Sequence, residues 1–178
     1  MNIFINMKNN SDNINNLPKT EFYTVRGYRL LEQNIKPMTS AMEDYLEMIY
    51  RNSEKSGFIR LNTLARLLHV KASSATKMVQ KIAELGFLNY EKYGIIMLTK
   101  EGKELGKYLL KRHNILESFL RNLGIADKAL LETELIEHNI SKETLININL
   151  LNNFFMNNPL IKEKFEDFKR LYRDDNIL

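Results

Sequence analysis

Residues 71–102 read KASSATKMVQKIAELGFLNYEKYGIIMLTKEG, and the hydrophobic period changes within them. Up to Leu85 the apolar positions Ala75, Met78, Val79 and Ile82 recur at three- and four-residue steps, the stripe of a helix buried on one side. Ser73 or Ser74 is suited to cap that helix and Gly86 to stop it. Phe87–Tyr90 and Ile95–Leu98 then read as two short strands, with Glu91-Lys92-Tyr93-Gly94 between them as a hairpin tip. Thr99 follows as the N-cap of a further helix, with Glu101 and Gly102 in its first turn.

Upstream, Asn62 is placed to cap a shorter helix ending at Leu68, with Leu61, Leu64, Ala65 and Leu68 inward. His69-Val70-Lys71 is the turn that joins it to the next helix, and Ile59-Arg60-Leu61 before it reads as a short strand. Thr39 or Ser40 is suited to cap a helix, and Ser40 and Glu43 have the spacing of a capping box. The helix they open, Ala41 to Ser53, sets Met42, Tyr45, Leu46, Ile49 and Tyr50 on one stripe. Two helices joined by a tight turn and followed by a two-stranded wing are in the order of a winged helix-turn-helix.

Downstream, the helix capped by Thr99 continues through Tyr108, Leu109, Ile115 and Phe119 to about Asn122, where Leu123-Gly124 closes it. Lys128 to His138 reads as one helix. Ser141 caps another, which carries Leu145, Ile148, Leu150 and Leu151, and Leu160 to Tyr172 is the last. Residues 8–16 are polar and Asn-rich, the composition of a flexible arm; residues 21–33 carry aromatics and read as a segment able to dock.

The net charge of +4 is unevenly spread. Residues 51–112 hold 13 basic and 5 acidic side chains, whereas the flanking parts are mildly acidic. A basic middle implies a local surface for a polyanion. Lys71, Ser73, Ser74, Thr76, Lys77, Gln80 and Lys81 lie off the buried stripe of the second helix. Short hydrogen-bonding side chains at a helix start can reach base edges, and lysines beside them can meet phosphates. Gln80 is able to read adenine, and Lys92 and Tyr93 at the wing tip are placed to touch the adjacent DNA backbone. The alternative is an ordinary solvated face, but element order, charge and helix composition together favour double-stranded DNA.

There are no cysteines, so thiolate metal sites and thiol catalysis are excluded. No apolar run nears the ~20 residues needed to span a bilayer, and the apolar start is too short and lightly charged for a signal peptide. A cytoplasmic protein with no membrane partner is the expectation. Oxygen and imidazole ligands do occur in groups. Asp44 and Glu47 share a helix face, as do Glu134, Glu137 and His138; His113 lies on the long helix with Glu117 one turn on. Singly, each is more often a solvated pair or a lone surface histidine. If they converge, Asp44, Glu47, Glu134 and Glu137 repel one another without a counter-ion. Two divalent cations would neutralise them, and an oxygen-rich set with some nitrogen suits manganese or ferrous iron.

At these residues the chain resembles the diphtheria-toxin-repressor family of metal-dependent regulators, and within it the manganese transport regulator branch. The resemblance runs from about Thr39 to Phe155. It is carried by SAMEDYLEMIY (40–50), SSATKMVQKIAELGFLNYEKYG (73–94), LTKEGKELG (98–106), RHNILESFL (112–120) and ETELIEHNIS (132–141). It implies metal ligands at Asp44, Glu47, His113, Glu134, Glu137 and His138, and two Mn(2+) per subunit. The iron branch has Met in place of Asp44 and Cys in place of Glu134, so the resemblance favours manganese, with Fe(2+) the second choice. An ancillary site of the iron branch would use His113, Glu117 and a histidine that falls on Leu130, and is incomplete. Ala72 stands where the family often has Pro, and the wing tip Tyr93-Gly94 lacks the Arg that follows this Tyr in the manganese branch.

The expected architecture is mainly α: an N-terminal extension (1–38, partly flexible), a winged helix-turn-helix DNA-binding domain (39–111) and a helical metal-binding and dimerisation domain (112–178). The expected function is manganese-responsive regulation, through repression of metal-uptake genes, by a homodimer bound to palindromic operator DNA. The competing readings are an iron(II)-responsive repressor of the same fold, a metal-independent regulator and a di-metal carboxylate enzyme. The enzyme would need a Glu-x-x-His motif on each of two helices, and none of the catalytic motifs of hydrolases or nucleotide enzymes occurs.

Overall fold

The structure, a computed structural model, describes residues 38–172; the expected arm and docking segment lie outside the described residues. It begins with α1 (Ser40–Ser53), β1 (Ile59–Arg60), α2 (Leu61–Leu67) and α3 (Ala72–Glu84). The wing is β2 (Leu88–Tyr90), a 3-10 turn (Lys92–Gly94) and β3 (Ile95–Leu98). The helices α4 (Lys100–Asn122), α5 (Ala129–Ile136), α6 (Lys142–Asn157) and α7 (Pro159–Tyr172) follow, with a second 3-10 turn (Glu137–Asn139) between α5 and α6.

The helices start and stop largely where local chemistry requires. Thr99 accepts a hydrogen bond from the Gly102 amide at 3.0 Å and donates its hydroxyl to the Gly86 carbonyl at 2.8 Å, pinning the start of α4 to the end of α3. Gly102 is obligatory there: a Cβ would lie 2.0 Å from the Phe87 carbonyl oxygen. Ser141 caps α6 by accepting from the Thr144 amide. Two expected caps are not made. α2 begins at Leu61 with Arg60 before it, so Asn62 sits inside the helix; α3 begins at Ala72 with Lys71 before it, and neither Ser73 nor Ser74 caps it. In both cases the preceding extended residue turns the chain into the helix without a side-chain acceptor.

The wing carries one strand more than the hairpin read from sequence. β1 pairs antiparallel with β3 (Ile59 opposite Ile96), and β2 pairs on its other side (Leu88 opposite Leu98), giving the order β1-β3-β2. Lys128–His138, read as one helix, is instead α5 plus a tighter 3-10 turn from Glu137. Most of the expected inward positions hold, while Tyr50, Leu61 and Leu68 are only half-buried. Leu46, Ile49, Leu64, Val79, Ile82, Ile96 and Leu116 are completely buried, each contributing about 1.5–3 kcal/mol of transfer free energy. Met78 is half-buried.

α4 is the spine that positions the site. Its first half packs on α1, where Gly106 lies against Tyr50. Its second half holds α6, with the Asn152 amide donating to the Ile115 carbonyl at 2.9 Å and accepting from Asn122 at 3.0 Å. Residue 111, the expected end of the DNA-binding part, falls inside this unbroken helix.

Candidate metal centre and DNA-facing surface

Three elements deliver the acidic and imidazole side chains to one place. α1 brings Asp44 and Glu47, α4 brings His113, and the end of α5 with its 3-10 turn brings Glu134, Glu137 and His138. Asp44, Glu137 and His138 form one group able to hold a metal ion and Glu47, His113 and Glu137 form another, the ligand atoms of each lying within 4.8 Å of one another. Glu137, 2% exposed, belongs to both. Glu134 flanks the second group: its Oε1 is 3.6 Å from His113 Nδ1, and its side chain is half exposed.

The two histidines are held differently. His113 Nδ1 is 3.2 Å from Glu137 Oε2 and 3.8 Å from Glu47 Oε1. Its Nε2 is buried without a hydrogen-bond partner, the Glu117 carboxylate standing 4.0 Å away. The hydrogen bond to Glu137 raises the His113 pKa above the ordinary imidazole value, against the opposing effect of burial. His138 Nε2 lies 2.8 Å from Asp44 Oδ1 and 3.7 Å from Glu137 Oε1, and its Nδ1 is 3.0 Å from Glu43 Oε2. Hydrogen bonds to Asp44 and then Glu43 push its pKa up to about 9. Glu134 is raised by desolvation first and by the charge of Glu137 second.

The residues fit a hard divalent cation. The donors are carboxylate oxygens and imidazole nitrogens with no sulfur, and an orphaned buried nitrogen adjoins them. The pairs Glu134–Glu137 and Asp44–Glu47, recognised in the sequence only as shared helix faces, are brought together by α4.

Three groups escaped sequence reading. Glu43, read as half of a capping box, accepts from Arg112 Nη1 at 3.0 Å and meets His138. Arg112 is itself buried, and Arg51 pairs with Glu47 at 2.5 Å. With a protonated His138 these two arginines offset part of the repulsion that the sequence reading assigned to the carboxylates. Arg51 stands four residues beyond Glu47, a spacing that signals the pair. Nothing local signals the 69-residue reach from Glu43 to Arg112.

Lys71, just before α3, and Ser73, Ser74, Lys77, Gln80 and Lys81 along it are exposed. Thr76 is half-buried and donates its hydroxyl to the Ala72 carbonyl, so that hydroxyl is committed to its own helix. Tyr93 is 91% exposed at the wing tip, in a left-handed conformation with φ 67°. The side chain of Lys92 lies outside those described.

The chain matches the family described as iron dependent repressor twice: its N-terminal DNA binding domain over residues 37–96, and its metal binding and dimerisation domain over residues 99–166. The HTH-type transcriptional regulator MntR of Oceanobacillus iheyensis is 37% identical over 139 residues, 78% of this chain and 92% of its own length. The MntR of Lysinibacillus sphaericus is 41% identical over 132 residues, 74% of this chain and 95% of its own length. Among solved structures, that of the manganese regulator SloR superposes with a TM-score of 0.58 at 31% identity, covering 66% of this chain; the chain spans 55% of that protein's length. No helix among the described residues is long and apolar enough to cross a membrane. The relatives are regulators, not enzymes, and the chain belongs with them to the diphtheria-toxin-repressor family of metal-dependent, DNA-binding transcriptional regulators, in its MntR branch.

Proposed function

We propose that the chain is a manganese-responsive repressor of metal-uptake genes, acting in the cytoplasm as a homodimer on palindromic operator DNA. The observation that carries this reading is the pair of ligand groups sharing Glu137, drawn from α1, α4 and the turn after α5. Asp44, Glu137 and His138 would hold one Mn(2+), and Glu47, His113 and Glu137 the other, with Glu134 completing the set, so that each subunit takes two. The bound cations supply the positive charge that lets four carboxylates stand together.

The chain's own residues do the rest. Asp44 and Glu47 tie α1, the first helix of the DNA-binding part (39–111), to His113, Glu134, Glu137 and His138 of the helical part (112–178). That fixes the orientation of α3 relative to the dimer. Two such heads must present Lys71, Ser73, Ser74, Lys77, Gln80 and Lys81 to successive major grooves, ~34–36 Å apart. A loosely held head pays an ordering cost on binding, which weakens operator affinity. Two exposed apolar stripes support the dimer: Leu130, Leu131 and Leu135 on α5, and Ile146, Leu150 and Phe154 at four-residue steps on α6.

The test is selection of purified chain on a random duplex pool, in manganese, in ferrous iron under anaerobic conditions, and in chelator, at fixed salt. A palindrome enriched with manganese alone supports the reading. Enrichment with iron alone replaces it by the iron-responsive reading, and equal enrichment in chelator sinks the metal switch.

A further inference from the structure

We propose that Glu43, held in place by Arg112, is a positioning residue that decides which nitrogen of His138 carries the ring hydrogen and so leaves the lone pair of the other toward the metal ligands, an inference that rests on the metal-responsive reading above. The three side chains converge from α1, α4 and the turn after α5, and are only 15%, 8% and 13% exposed. One oxygen, Glu43 Oε2, is 3.0 Å from both Arg112 Nη1 and His138 Nδ1. Arg112 Nη2 also stands 3.3 Å from that same Nδ1.

The chemistry of these atoms allows two arrangements. A carboxylate only accepts and a guanidinium only donates. While Glu43 is present, Nδ1 keeps its hydrogen and gives it to Oε2. The lone pair of the neutral ring then sits on Nε2, the nitrogen that faces Asp44 and Glu137. Without Glu43, Arg112 Nη2 is left to donate to Nδ1. The ring hydrogen then moves to Nε2, where it occupies the lone-pair position a cation needs. A carboxylate behind a histidine sets its tautomer and basicity in this way, and its loss typically costs 10–100-fold in metal affinity. Arg112 therefore has two faces: it steadies Glu43, and it becomes the antagonist once Glu43 is gone.

That reversal makes the role separable from simple packing. Manganese(II) titrations followed by the electron paramagnetic resonance of the free ion are run on the full chain, Glu43→Gln, Glu43→Leu and Glu43→Leu/Arg112→Met, with thermal melts in chelator to verify folding. Zinc(II), as a diamagnetic probe, allows the ring nitrogens of the three histidines to be read by NMR. Glu43→Leu is expected to lose about 10–100-fold in affinity and its Nδ1–H signal from His138. The double variant is expected to recover part of that loss, and Glu43→Gln, whose amide oxygen accepts from both partners, to stay within a few-fold of the full chain.

An unchanged affinity and ring spectrum in Glu43→Leu overturns the assignment, as does a double variant weaker than the single one. Should Glu43→Leu fail to fold, Glu43→Gln decides: retention of the Nδ1–H signal supports the assignment and its loss overturns it. Absence of manganese binding by the unaltered chain overturns both this assignment and the reading beneath it, whereas binding by that chain with an indifferent Glu43→Leu overturns this assignment alone.

Discussion

Replacing Glu137 by Gln tests the shared carboxylate directly. Glu137 is 2% exposed and belongs to both ligand groups, so one substitution should disable both. Gln keeps the volume and one acceptor for His113 Nδ1, 3.2 Å away, but removes the charge. It also relieves Glu134, whose pKa is raised in part by that charge. These opposing effects leave the stability in chelator within about 1 kcal/mol of unchanged. The effect with metal is larger. Manganese at 100 times its dissociation constant stabilises the folded chain by about 2.7 kcal/mol. For a chain of this size that is a rise of roughly 5–11 °C, at about 2–4 °C per kcal/mol. Losing a ligand common to both groups should weaken binding by at least ~100-fold, the upper end for a mere supporting residue. At the same manganese concentration the stabilisation then falls to about 0.4 kcal/mol, a rise of roughly 1–2 °C. The assay is a thermal melt of both proteins, with manganese and with chelator. A variant that keeps the full manganese-dependent rise refutes the placement of Glu137 between the two groups.

Four further outcomes are expected. His138, with its pKa near 9, is protonated at pH 7 in the metal-free chain, so binding through it must displace a proton; manganese affinity should rise up to about tenfold per pH unit between pH 7 and 9, and an equal slope in His138→Gln would contradict this. The same folded pKa lies above the unfolded 6.5, so the stabilisation it brings to the metal-free chain is complete below pH 6.5 and disappears as pH rises through 9. On operator DNA, Gln80→Ala should lose about 1–3 kcal/mol and relax preference at one base pair, whereas Lys77→Ala should weaken all sequences alike and lower the salt slope by about 1; anisotropy titrations against salt separate the two. Gly106→Ala would place a Cβ 2.7 Å from that of Tyr50 and force α1 away from α4. Denaturant titration in chelator should show a loss of about 1–3 kcal/mol, and unchanged stability would mean that this contact yields freely.

The sequence alone carried everything that depends on local period and composition. The step from helical to alternating spacing at Gly86 located α3 and the wing; Thr99, Ser141 and Gly102 marked helix starts; and the apolar stripes named most of the core. The order of motifs carried the family. Donor chemistry, with no cysteine and grouped carboxylates and histidines, named the kind of ligand before any coordinates.

What the sequence left open depended on contacts between distant segments. The caps expected at Asn62 and at Ser73 or Ser74 are the exception, a local one: α2 starts directly after the extended Arg60 and α3 directly after the extended Lys71. Ile59-Arg60 was legible as a short strand, but that it joins the wing was not, because its partner β3 lies some 35 residues later. The tightening at Glu137 and the convergence of three elements gave that residue its shared place. Glu43 shows the difference most clearly. Four residues of sequence made it a helix cap, whereas tertiary packing put it against Arg112 and His138, 69 and 95 residues away. Hydrogen-bonding side chains advertise what they can bond to, and only the fold decides which partner comes within 3 Å.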